Sequence, residues 1–205
     1  MALRWVEDLV NTRSLEFGSD DIAGPADLAA WLYERGLVAR RVRLDDSHVR
    51  KAAILREGLR ALIARNTSDA VDPTAEEASA DEASLSALAT LAAELPLVVD
   101  VLAEPPHVTP ATGHPLDDAL ARILETVTVA VAAGSWARMK VCRQPDCRWA
   151  YFDESRNRSR AWCSMETCGN RVKARSFRQR RGSSGGARSD VADPSLSAEA
   201  VMAER

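Results

Sequence analysis

Residues 142–168 read Cys142-Arg-Gln-Pro-Asp-Cys147-Arg-Trp-Ala-Tyr-Phe-Asp-Glu-Ser-Arg-Asn-Arg-Ser-Arg-Ala-Trp-Cys163-Ser-Met-Glu-Thr-Cys168, a C-x4-C-x15-C-x4-C pattern. These 27 residues hold all four cysteines of a 205-residue chain. Two close pairs across a spacer suit a tetrahedral four-thiolate zinc site. Each pair supplies two thiolates from one turn of chain. The spacer folds back so that the second pair completes the tetrahedron, with Zn–S near ~2.3 Å. Four protein ligands leave no open position, so one structural Zn2+ is expected on Cys142, Cys147, Cys163 and Cys168. Four reduced structural cysteines, a redox switch and an iron–sulfur cluster are the alternatives.

The spacer predicts a small hairpin. Residues 149–152 read as one strand, 153–158 as a turn and 159–162 as the returning strand. The last cysteine pair leads into a predicted helix over 169–178. Knuckle, hairpin and helix around one metal make a treble-clef-like module. So small a module builds little core, so metal binding should supply much of its folding energy. Trp149, Tyr151, Phe152, Trp162 and Phe177 are read first as that minimal core and second as base-stacking platforms.

Charge separates the two ends of the chain. The net charge is -3. Yet residues 138–181 hold 13 Lys/Arg against 4 Asp/Glu, whereas residues 1–137 hold 12 against 22. An acidic body joined to a basic module points to a polyanionic partner. Arg156, Arg158 and Arg160 decorate the predicted hairpin, and Arg171, Lys173, Arg175, Arg178, Arg180 and Arg181 follow the last cysteines. At about 100° per residue, Arg171, Arg175 and Arg178 share one arc of the predicted helix. Such side chains suit phosphates and guanine edges. The plainer reading is a solvated basic face that pairs with the acidic body.

The body reads as mainly helical. A short amphipathic segment covers 3–10 and stops near Asn11-Thr12. Pro25 opens a helix that Gly36 closes. Residues 46–65 form a longer helix, with Val49, Ala52, Leu55, Leu59, Leu62 and Ile63 inward and Arg and Lys opposite. The acidic stretch 66–82 reads as a mobile loop. A helix over 83–95 follows, then strands near 97–102 and 107–109, then a helix over 116–134. The expected fold class is α+β: a mainly helical N-terminal domain with a small β-hairpin (1–137), a four-cysteine zinc module (138–181) and a disordered tail (182–205).

No secretory signal or membrane-spanning stretch is visible, so a cytoplasmic location with reduced thiols is expected. His48, His107 and His114 are scattered, though His107 and His114 flank one loop and could pair. No phosphate-cradling glycine loop, nucleophile elbow or helical His-Glu zinc motif occurs, so no enzyme is expected.

Cys142-x4-Cys147, Phe152-Asp153, Ser155-Arg156-Asn157, 160–165 (Arg-Ala-Trp-Cys-Ser-Met) and above all Cys168-Gly169-Asn170-Arg171 with Lys173 resemble a CGNR zinc finger. Asp8-Leu9-Val10-Asn11-Thr12 and Leu55-Arg56-Glu57-Gly58-Leu59-Arg60 resemble the opening motif and central helix of the ABATE domain that precedes such fingers. The resemblance covers about residues 3–181. It implies a stress-responsive bacterial transcription regulator, with zinc on the four cysteines and double-stranded DNA near Arg171 and its neighbours. The body would then sense a small effector or form a homodimer. Within the motif, Gly169 is expected to admit the chain close to the metal and turn its N–H toward a thiolate. Asn170 is expected to cap a helix or fix the loop, and Arg171 to reach a phosphate or brace the hairpin through Asp153. An RNA-binding protein and a protein-interaction module with structural zinc are the rival readings.

Overall fold

The computed structural model describes residues 3–67 and 74–174. Five helices carry the body: α1 (Arg4–Val10), α2 (Pro25–Glu34), α3 (Asp46–Ala64), α4 (Ala75–Ala93) and α5 (Pro115–Ala132). Two antiparallel hairpins accompany them, β1 (Leu97–Asp100) with β2 (His107–Pro110) and β3 (Met139–Val141) with β4 (Ala150–Phe152). The mainly helical body with its small sheet, followed by a second hairpin and the cysteines, is the expected fold class.

Local signals explain most helix ends. Pro25 and Pro115 stand in the first turns of α2 and α5, where a missing N–H costs nothing. Gly36 closes α2 at φ +67°, a conformation that side chains disfavour. Asp45 caps α3 by accepting the N–H groups of Ser47 and His48, and His48 Nδ1 accepts the Asp45 N–H in return.

Three expectations are corrected. The acidic stretch 66–82 is not all loop, because α4 begins at Ala75. Thr74 and Glu77 form a reciprocal capping box there, and alanine and glutamate are strong helix formers. Residues 159–162 form no returning strand; β4 pairs with β3, which precedes the first cysteine. Met139 and Val141 are buried, so that pairing also fills the core. Arg56 and Arg60 do not lie on a solvated face of α3. Both are buried and turned toward α1 and the loop after it.

Helix α3 is the central post, packed against α1, α2, α4, α5 and β3. Val6, Leu9, Leu28, Leu32, Leu55, Leu59 and Leu120 share one core with Met139, Val141 and Ala150. Residues up to Gly169 form one compact unit, and a second begins at Asn170. Helical backbone covers 170–174.

Gly58 sets the approach of α3 to α4. A Cβ built there would lie 2.5 Å from the Leu88 Cβ. Alanine in a helix interior gains about 1 kcal/mol over glycine. Overpacking a tight contact costs about 1–3 kcal/mol, and here two helices must separate. Gly58→Ala is therefore expected to destabilise by up to about 2 kcal/mol in urea unfolding. A stabilised variant would show that α4 gives way freely.

Candidate metal centre and basic face

The β3–β4 hairpin carries the first cysteine pair in its own turn. Cys142 follows β3 directly, and its N–H donates to Trp149 O at 2.9 Å, extending the ladder by one bond. Inside that turn Cys147 and Arg148 donate their N–H groups to Gln144 O at 2.9 and 3.2 Å. Arg148 takes φ +44°, which reverses the chain back into β4. Cys163 precedes and Cys168 sits on a wide turn over Met165–Gly169, closed by the Gly169 N–H donating to Ser164 O at 3.0 Å. That bond corrects the expectation that this N–H faces a thiolate. A Cβ on Gly169 would stand 2.8 Å from Met165 Sδ and 3.3 Å from Trp162 Cδ1, so any side chain there must displace the exposed Met165 thioether.

The hairpin and the turn bring the four sulfurs of Cys142, Cys147, Cys163 and Cys168 within 4.8 Å of one another. Cys147 and Cys163 are 3.7 Å apart, and Cys163 and Cys168 are 3.6 Å apart. A tetrahedron with metal–sulfur bonds of ~2.3 Å has edges of about 3.8 Å. The cluster thus has the chemistry and the spacing to coordinate one metal ion. Cys142 and Cys168 are buried, and the other two half-buried. Backbone N–H groups of Gln144 and Cys163 face the Cys142 sulfur, and that of Trp149 faces Cys147.

The thiols respond to that crowding. Hydrogen bonding from the Cys147 thiol, helped by the backbone N–H groups, outweighs burial and pulls Cys142 down to about 5. The same hydrogen bond, with burial, drives Cys147 far above the ordinary thiol range. Burial and then the Cys142 charge push Cys163 up to about 12. The cage readily holds one negative charge and resists more. A divalent cation at its centre would reverse that repulsion.

The metal centre is stitched to the helical body. Asn11, at the end of α1, accepts the Ala150 N–H at Oδ1 (2.8 Å) and donates from Nδ2 to Ala150 O (2.9 Å). One side chain thereby supplies the two bonds that a neighbouring strand would give β4. Asn66 Nδ2 donates to Trp136 O and Met139 O at 3.0 and 3.1 Å. Arg148 makes a two-pronged ion pair with Asp81 of α4, at 2.8 and 2.7 Å. Asp153 is fully buried and bound by Lys140 Nζ at 2.8 Å and by the N–H groups of Ser155 and Arg160. Burial opposes the charge of Asp153, but Lys140 and Ser155 overcome it and hold the carboxyl down to about 2.

The basic residues divide by what they touch. Arg156 and Arg158 are exposed, and neither side chain has a partner among the described residues. Arg160 is committed locally: its Nε donates to Trp162 O at 2.9 Å, its Nη2 donates to Cys163 O, and its guanidinium lies 4.4 Å over the Tyr151 ring. Arg171 and Lys173 are exposed on the helical stretch 170–174. Arg175, Arg178, Arg180, Arg181 and Phe177 lie outside the described residues. Of the aromatic residues, Tyr151 is buried and Phe152 packs on the core, whereas Trp149 is 38% exposed. His107 and His114 do not pair: His114 stacks on His48 at 5.4 Å, and His107 Nδ1 meets Pro105 O. Sequence reading missed Asn11 and Lys140 as supports. Asn11 carries a helix-stop signal and a place in the opening motif, but its partner lies 139 residues away.

No described helix is long and apolar enough to cross a membrane. Two family models match the chain. Residues 138–181 match the CGNR zinc finger. Residues 3–139 match ABATE, described as "Putative stress-induced transcription regulator". No curated protein matches it. Both matches are regulatory or zinc-finger families and neither is catalytic. With most of its length under the first of these domains and the cysteine cluster under the second, the chain belongs to the ABATE family of transcription regulators that carry a C-terminal CGNR zinc finger.

Proposed function

We propose that this chain is a zinc-dependent, DNA-binding transcription regulator. One structural Zn2+ sits on Cys142, Cys147, Cys163 and Cys168 and stiffens the surface that meets double-stranded DNA. The observation that carries this reading is the convergence of four sulfurs at tetrahedral spacing, in a module with unpartnered arginines beside it. Arg156, Arg158, Arg171 and Lys173 contact phosphates, together with Arg175, Arg178, Arg180 and Arg181. Arg160, also exposed, joins them while its Nε and Nη2 brace the Trp162 and Cys163 carbonyls. Residues 1–137 act as the sensing or dimerising body, 138–181 as the DNA-binding module and 182–205 as a tail. The protein works in the cytoplasm, where thiols stay reduced.

Fluorescence anisotropy of labelled duplex at about 50 and about 200 mM salt tests this. Binding should fall steeply with salt and vanish when zinc is chelated. Arg156→Ala/Arg158→Ala should keep the metal and reduce the salt slope by about 1.8, at about 0.9 per lost phosphate contact. No duplex binding at low salt, with zinc bound, would refute the reading. The exposed Trp149 ring supports a second reading, single-stranded RNA held by stacking. Under that reading, RNA outcompetes duplex DNA and quenches tryptophan fluorescence.

A further inference from the structure

The acidic body carries a basic site of its own. The loop joining α2 to α3 places Arg40, Arg41 and Arg43 within four residues, all exposed. Among the described residues none of these guanidiniums has a hydrogen bond or ion pair. Other arginines of the body behave differently: Arg35, Arg56 and Arg60 each hold a carboxylate. The loop faces the start of α5, and the three arginines, Leu44, His114 and Pro115 line a groove of about 420 Å³.

The charges around that groove are unequally committed. Asp45 is occupied by the α3 cap. Asp117 accepts from Lys51 at 3.2 Å, and Asp118 binds Thr112 at 2.7 Å. His114 stands at the cap position of α5 with no side-chain cap bond; its ring stacks on His48, and its Nδ1 lies 3.9 Å from Asp117 Oδ2. Asp45, Asp117 and Asp118 thus each hold partners, Asp46 stays exposed at the start of α3, and three cations crowd one loop. Their mutual repulsion is relieved by an anion rather than by the protein. Guanidinium forks match phosphate oxygens two at a time.

We propose that Arg40, Arg41, Arg43 and His114 form a phosphate-binding site that takes a compact, multiply charged phosphate. This site does not depend on the zinc module's binding DNA. The test is titration of the full chain with pyrophosphate by calorimetry, with bound zinc measured before and after. Wild type should bind about one equivalent, and Arg40→Ala/Arg41→Ala/Arg43→Ala should weaken binding by about tenfold or more. Arg156→Ala/Arg158→Ala should leave it unchanged.

A duplex-DNA arm separates the two sources of phosphate. If the triple variant lowers the DNA salt slope by about 2.7 and pyrophosphate does not bind, the site serves the DNA backbone. If the triple variant changes neither pyrophosphate nor DNA binding, the site is overturned, whatever the zinc module does.

Discussion

Cys168→Ser is expected to abolish metal binding and to loosen far more of the chain than the module that holds it. Zinc content should fall from one ion per chain to none. The reason for the wider effect is shared packing. Met139, Val141 and Ala150, from the two strands that carry the knuckle, belong to the same buried core as Val6, Leu9, Leu55 and Leu59. Those strands are three residues long, and so short a hairpin does not stand alone in water. Asn11 holds it beside the cysteines, Asn66 holds its far end, and the proposed zinc would tie the cysteine end further. Structural zinc contributes about 10–16 kcal/mol in small fingers, which rivals the whole stability of an ordinary domain.

If only about 4 kcal/mol of that reaches the body, the melting midpoint falls by about 8–16 °C for a chain of this size. Far-UV circular dichroism follows the helices, and metal analysis follows the site. Chelation of the wild type should reproduce the variant. Retention of one zinc in Cys168→Ser would remove that cysteine from the ligand set. Loss of zinc with an unchanged helical melt would mean that the body stands without the module.

Helices α2, α3 and α5 were legible because their signals are local: apolar residues at helical spacing, with Pro25 opening α2 and Gly36 closing it. The metal centre was legible for a related reason. Four cysteines in two close pairs admit few arrangements, and the chemistry of thiolate narrows them further. What escaped the sequence depends on distant partners. The acidic run before Ala83 reads as loop by composition, and only the Thr74–Glu77 box marks it as helix. The partner of β4 was missed because two candidate strands of similar length flank it. Burial chose between them, since Met139 and Val141 enter the core. Arg160, read as a phosphate contact, also holds the backbone of a cysteine, which charge alone does not reveal.

The two arginines of α3 are the sharpest case, and they carry the second large prediction. Arg56 is 2% exposed. Its Nη1 and Nη2 donate to the two Asp20 oxygens at 2.7 and 2.8 Å, its Nε donates to Glu57 at 2.9 Å, and Nη1 also reaches Thr12 Oγ1. Arg60 pairs with the same Glu57 and donates to Val10 O at 2.6 Å. These bonds fasten α3 to the turn after α1. Arg56→Met is expected to destabilise the chain by about 3–5 kcal/mol, because it strands Asp20 and part of Glu57 without their cation.

Adding Asp20→Asn to Arg56→Met should recover part of the loss, since the stranded charge goes with it. Strict additivity of the two substitutions in urea unfolding would refute the coupling. The pH dependence has a definite sign. Burial pushes the Asp20 carboxyl up, but the Arg56 hydrogen bonds and the Ile22 N–H outweigh it and leave it below the ordinary value. A depressed carboxyl contributes stability above its unfolded pKa of about 3.9, and that stability is lost as pH falls through the folded value. The gap between wild type and Arg56→Met should therefore be full at pH 7 and narrow below about pH 4. Measured as a difference in matched buffers, it is free of acid effects that both proteins share. A gap that stays constant down to about pH 2 would place the cost of Arg56→Met in lost packing, not in the broken pair.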